Sequence, residues 1–121
     1  MSRRLNVQVR RIYDPVQPED GTRVLVDRIW PRGVSKARAH LDEWCKDVAP
    51  STELREWYGH DPSLFDEFTR RYRDELGDAP RAAALAHLRD LAKNQPLTLL
   101  TATKSADLSE AAVLADLIGG S

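Results

Sequence analysis

Three ionisable side chains close together in Asp27-Arg28-Ile29-Trp30-Pro31-Arg32-Gly33 follow the apolar run Val24-Leu25-Val26. Charges are costly to bury unless they are paired or used. An arginine fork can hold two oxygens of a carboxylate or phosphate at once. An aspartate beside it can take or give a proton. Ligands of open α/β sheets bind beyond the carboxyl ends of the strands, which is where this segment falls. Successive strand residues face opposite sides, so a regular strand sends Asp27 and Arg28 apart, one to a site and one to a neighbouring element. The competing reading is an Asp–Arg pair that fixes the turn.

A second junction lies in Thr101, Thr103, Lys104 and Ser105, between an apolar run and a helix start. Such a junction presents free backbone N–H groups and the positive end of a helix dipole, and Lys104 adds a point charge. Its loop has no glycine, so it is neither a P-loop nor a dinucleotide fingerprint. The acids Asp107 and Glu110 at the helix start argue against an anion there. His60, between Gly59 and Asp61-Pro62, has the side chain for proton transfer near neutral pH. His87 lies off the apolar stripe of its helix, and His40 falls in an ambiguous stretch. No HExxH, CxxC or Asp-rich loop occurs, so the sequence names no metal, and it names no cofactor. Cys45 is the only cysteine and reads as a buried thiol in a reducing compartment. Trp30, Trp44 and Trp57 read as core or pocket walls.

The elements that would position these groups follow from periodicity. Leu5, Val7 and Val9 alternate with Asn6, Gln8 and Arg10, which predicts a half-buried strand running to Tyr13. Val24-Leu25-Val26 predicts a strand covered on both faces. Residues 34–50 allow a short helix capped by Ser35 and running through Leu41, then a third strand over Glu43 to Val48 or more helix. Ser51 predicts an N-cap for a helix ending at Gly59, and Asp61-Pro62 opens another. Phe65, Phe68, Tyr72 and Leu76 form one apolar stripe ending at Gly77. Pro80 opens a helix with Ala84, Leu85, Leu88, Leu91 and Ala92 inward. Leu97 to Thr101 predicts a second buried strand. Asp107-Leu108-Ser109-Glu110 has the capping-box pattern before a last helix with Ala111, Leu114, Ala115 and Ile118 inward, stopped by Gly119-Gly120. The expected fold is one α/β domain over 1–121, a small partly parallel sheet flanked by helices.

At 121 residues, 41% hydrophobic and 31% charged, the chain is neither disordered nor membrane-spanning by composition. The start, Met1-Ser2-Arg3-Arg4, is not followed by the apolar stretch of a signal peptide, so a cytoplasmic location is expected. Net charge is −1, yet residues 1–40 hold nine Arg or Lys against four acids, and the remainder nine against fifteen. A basic front half suits an anionic partner, or attracts the acidic remainder within one fold.

Arg11-Ile12-Tyr13-Asp14 and the run from Asp20 through Gly33 resemble the YeaO-like proteins, the domain of unknown function 488. The likeness continues through Trp44, Pro50-Ser51-Thr52-Glu53-Leu54-Arg55, His60, Phe68, Pro96 to Leu100 and Lys104, which is nearly the whole chain. The resemblance implies a compact α/β fold with a shared polar site. By position it carries Arg11, Asp20, Arg23, Asp27, Arg28, Trp30, Arg32, Ser51, Arg55 and Lys104 into that site. Relatives tend to have Asn or His where this chain has Ser109-Glu110, and an acid at position 45. The expectation is a small-anion site, with Arg11, Arg23, Arg28, Trp30, Arg32, Ser51, Arg55 and Lys104 binding and Asp27 with His60 moving protons. The alternative is a nucleotide or nucleic-acid binding module using the basic front half. Neither a membrane partner nor an oligomeric state is indicated.

Overall fold

The computed structural model describes residues 5–119. The expectations on Met1 to Arg4 and on Gly120 lie outside them. Four strands, β1 (Val7–Arg11), β2 (Thr22–Leu25), β3 (Glu43–Trp44) and β4 (Leu97–Thr101), form a sheet in the order β1-β4-β2-β3. Every described strand pair is parallel. Five helices accompany them: α1 (Lys36–Ala39), α2 (Thr52–Tyr58), α3 (Phe65–Glu75), α4 (Ala79–Asn94) and α5 (Glu110–Gly119).

The central strands are buried throughout, as unbroken apolar runs require when both sheet faces are covered. Strand β1 stops at Arg11, two residues before the expected Tyr13, because the Asp14 carboxylate accepts the Arg11 N–H at 3.1 Å and turns the chain. Register between β2 and β4 is set by a close approach. Thr22 N–H donates to Pro96 O at 2.9 Å. The preceding Gly21 has φ +64°, and a Cβ there would overlap the Pro96 carbonyl. Only glycine fits.

The ambiguous stretch resolves into α1, the short β3 and a 3₁₀ turn over Lys46–Val48. Ser35 caps α1 by accepting from Arg38 N–H at 3.1 Å. The helix ends at Ala39 rather than Leu41, because His40 turns left-handed at φ +50°.

The two sheet faces differ. Val24, Val26, Leu97 and Leu99 point into the larger core, against Leu54, Phe68, Tyr72, Leu88 and Leu114 from the helices. Leu25 and Leu100 point the other way, where Ile12 and Ala39 with Trp30 and Trp44 cover them. The predicted aromatic stripe lies in the larger core: Phe68 stacks on Tyr58 at 4.3 Å and on Tyr72 at 5.7 Å. Tyr72 Oη donates to Val48 O at 2.5 Å, so its buried hydroxyl is satisfied. Within α4, Leu85, Leu88 and Ala92 are buried, with Ala84 and Leu91 packed partly against them.

One helix start departs from expectation. Asp107 lies in a 3₁₀ turn, Ala106–Leu108, and α5 begins only at Glu110. The Ser109 hydroxyl serves this end instead, donating to Ala106 O at 2.6 Å and accepting from Ala112 N–H at 3.4 Å. Glu110 is therefore the first residue of α5 rather than the third after a cap at Asp107. Val113 joins Ala111, Leu114 and Ile118 in the core, and Ala115 is only partly buried. Among the described residues no helix is long and apolar enough to cross a membrane.

Candidate functional site

The chain leaving β2 runs toward β3, while α5, which follows β4, packs on β1. Two neighbouring parallel strands whose continuations diverge leave a crevice beyond their carboxyl ends. A cavity of about 590 Å³ occupies that place. Asp27, Arg28 and Trp30 line it from the β2 exit, Lys104 from the β4 exit, Arg55 and Tyr58 from α2, His60 from the loop beyond, and Glu110 from α5.

The β2 exit is held by tryptophans. Trp44 Nε1 donates to Asp27 O at 2.7 Å, and Trp30 Nε1 donates to Val34 O at 2.6 Å. The two rings meet edge to face, with centroids 5.3 Å apart and planes at 69°. The ladder to β4 ends with the Val26 N–H donating to Leu100 O at 3.1 Å, and the tryptophan bonds hold the chain beyond it. Strand alternation therefore no longer applies, and Asp27 and Arg28 both face the cavity.

Asp27 Oδ2 accepts the Ala102 N–H at 2.8 Å, tying the β2 exit to the β4 exit. Its Oδ1 is buried and, among the described residues, has no hydrogen-bond partner. Glu110 lines the same cavity as Asp27. Burial first, then the neighbouring Asp27 carboxyl and its charge, push the Glu110 pKa well above the usual carboxylate range, against the opposing pull of Arg55. Two neighbouring carboxyl groups do not both ionise cheaply, so the charged form of Glu110 is disfavoured. Tyr58 Oη donates to Leu108 O at 2.8 Å. Burial raises its phenol pKa, with Asp61 and Glu110 adding to the effect.

Arg28, Arg55 and Lys104 are exposed, and among the described residues none of them stands in an ion pair. His60 is exposed at φ +60°, directly after Gly59 at φ +53°, so two consecutive left-handed residues present its ring at the rim.

Of the residues singled out in the sequence, Asp27, Arg28, Trp30, Arg55, His60 and Lys104 line the cavity, and Arg11, Arg23, Arg32 and Ser51 do not. Arg11 Nε donates to Thr103 O at 3.2 Å, and its guanidinium lies over the Tyr13 ring at 5.0 Å, so it braces the β4 exit from behind. Arg23 is buried at the opposite end of β2. It binds Asp20 Oδ2 at 2.5 Å and donates to the carbonyls of His40 and Ala39. Ser51 caps α2, accepting from Leu54 N–H at 3.1 Å and donating to Glu75 Oε2 at 2.5 Å. Arg32 is exposed away from the lining.

Sequence reasoning missed Glu110, because an acid in the first helical turn ordinarily complements the helix dipole. Nothing local to it signals the nearness of Asp27. Cys45 is buried in the core, which with the nearby Glu43 charge raises its thiol pKa to about 11. His87 Nε2 meets Glu43 Oε2 at 2.8 Å, far from the cavity lining. Among the described residues no group of three or more His, Cys, Asp or Glu could hold a metal ion.

The family described as the inactive DUF488-N3 subclade matches residues 6–120. The chain is 53% identical over 120 residues to an uncharacterised protein of Mycobacterium tuberculosis, covering 99% of both. An uncharacterised protein of Mycobacterium bovis matches to the same extent. The uncharacterised protein YeaO of Escherichia coli is 44% identical over 112 residues, 93% of this chain and 96% of that protein. No solved structure matches the chain.

Proposed function

The chain belongs to the YeaO-like DUF488 family, and from that premise we propose that it binds a small anionic ligand, bearing phosphate or carboxylate, in the cavity beyond β2 and β4. The observation that carries this reading is the charge left over at the site. Arg28, Arg55 and Lys104 supply three cations without ion-pair partners among the described residues. Against them stand the two carboxyls of Asp27 and Glu110, and burial with the Asp27 charge disfavours the ionised form of Glu110. A cleft with uncompensated positive charge raises the local concentration of anions.

Binding without turnover is the form we favour, in keeping with the description of the matching subclade as inactive. Asp27 and His60 then orient the ligand rather than drive a reaction. The nucleic-acid alternative loses its motive, since two arginines of the basic front half already face Asp20, Arg23 at 2.5 Å and Arg10 at 3.2 Å. The lone buried Cys45 suits a cytoplasmic setting.

Isothermal titration calorimetry with inorganic phosphate, phosphoesters and small carboxylates tests the reading. We expect binding to at least one of them that weakens about tenfold, ~1.4 kcal/mol, in each of Arg28→Ala, Arg55→Ala and Lys104→Ala. Heats unchanged by all three substitutions would remove the cavity as the site.

A further inference from the structure

We propose that the open edge of the sheet at β1 docks a second copy of this chain, antiparallel, about a two-fold axis at Gln8. Unclaimed backbone groups on Val7 and Val9 carry the inference, together with two unpaired charges that the same axis brings together.

Strand β1 ends the sheet and, among the described residues, pairs only with β4. Leu97 N–H donates to Asn6 O and Ile12 N–H donates to Thr101 O, each at 2.9 Å. Backbone groups along a strand alternate in direction with the same period as its side chains. Gln8 and Arg10 therefore also face β4, whereas Val7, Val9 and Arg11 turn their N–H and C=O groups away from the sheet. Arg11 is already closed: its N–H donates to Asp14 Oδ2 at 3.1 Å, and its C=O accepts the Asp14 N–H at 3.0 Å. Val7 and Val9 have no such cover among the described residues. The opposite edge, β3, is only two residues long, and a very short edge strand guards against pairing. Strand β1 has five residues and no proline.

Symmetry selects the occupant. An axis at Gln8 sets Val7 of each copy opposite Val9 of the other. Every outward N–H of these residues then meets an outward C=O, in the hydrogen-bonded pairs of an antiparallel ladder. The closed Arg11 needs no backbone partner in this register. The same patch serves both copies, which is the form of a two-fold interface.

Charge agrees with the register. Directly opposite residues of antiparallel strands share a face. Val7 faces α5, where a Cβ on Gly119 would come within 3.4 Å of it. Arg11 has the same parity, so it faces that side and falls opposite Leu5 of the second copy. Leu5 shares a groove with Val7, Gly119 and Asp116, and Asp116 is exposed. Among the described residues neither Arg11 nor Asp116 stands in an ion pair. The two-fold brings them together twice, once on each side of the axis. On α5 the groove is bordered by Ala112, Ala115 and Gly119, residues small enough to let a second edge approach.

Sedimentation equilibrium of the full chain, followed into the high micromolar range, reads the assembly directly. The limiting mass should be twice the 13.7 kDa of one chain. Val9→Pro removes an outward N–H and leaves the ladder to β4 intact, so it should abolish the dimer. Asp116→Arg should weaken the dimer about tenfold or more, and adding Arg11→Glu to Asp116→Arg should recover it. The mass of one chain at every concentration would overturn the proposal. A dimer left intact by Val9→Pro, or by Asp116→Arg, would overturn it as well. Should Val9→Pro fail to fold by circular dichroism, the charge exchange decides alone. A folded double variant that dimerises no better than Asp116→Arg would overturn the register about Gln8.

Discussion

Strand β2 has an aspartate beyond each end, and their surroundings are opposite. Asp20, ahead of the strand, is 1% exposed, and its carboxylate is enclosed by donors. Oδ1 accepts from Gln8 Nε2 at 3.2 Å and faces Arg10 Nε at 3.2 Å. Oδ2 takes Arg23 Nη1 at 2.5 Å and the Gln17 N–H at 3.0 Å. Asp27, past the strand, has one oxygen bonded to Ala102 N–H and the other, near a second carboxyl, without a partner among the described residues. Both residues carry the same chemistry and belong to the same family resemblance. A buried charge that is fully satisfied locks the fold. One left half-satisfied at a cavity is available to something else.

The sharpest way to break this comparison is to remove each carboxylate in turn. Asp20→Ala strands the Arg23 guanidinium, whose side chain is 5% exposed, and should cost ~3–5 kcal/mol of stability in chemical denaturation. Next in size are the cavity cations. Arg55→Ala or Lys104→Ala should leave the denaturation midpoint unmoved while ligand affinity falls about tenfold. Asp27→Ala comes third: it loses one hydrogen bond but removes one of two neighbouring carboxyls, so stability should change by no more than ~1 kcal/mol. An Asp27→Ala protein as damaged as Asp20→Ala would erase the distinction between the two ends.

The last effect is set by pH. The folded Glu110 pKa is raised above its unfolded value, chiefly by burial. The folded state therefore holds a proton that the unfolded state releases once pH passes the ordinary glutamate range. Stability declines as pH rises through that window toward the folded pKa. Glu110→Gln cannot titrate, so its thermal midpoint should exceed that of the native protein at neutral pH. The advantage should shrink in acid below the ordinary glutamate range. An advantage independent of pH would mean that Glu110 is ionised in the fold.

The same contrast marks how far the sequence could be read. Leu97 to Thr101 is legible as a buried strand because both of its faces are apolar or satisfied, and the observed β4 spans those five residues. The helices after Ser51 are legible from caps and stripes, which act within a turn or two. Residues 34–50 were not, because α1 and β3 are too short to show a period. The segment Asp27 to Gly33 stood out by its charges, and six of the residues named with it line the cavity. No local pattern separates Arg23 and Ser51, which hold the scaffold, from Arg28 and Arg55, which face the cavity. That difference depends on partners such as Asp20 and Glu75. Glu110 is the extreme case, since its environment is made by a residue at the far side of the chain.

Strand order has a consequence in time. Strand β4 sits between β1 and β2, and the bond from Ala102 to Asp27 joins residues 75 apart. During synthesis β1 and β2 emerge with nothing to pair between them, and each waits through α2, α3 and α4 for its neighbour. Such non-local pairing slows folding and leaves strand edges open meanwhile. The two lips of the cavity meet only when β4 slots in, so a nascent or clipped chain lacking that strand has no site at all. Ligand binding by this protein would be a readout of finished folding, and the ligand would in turn favour the finished state.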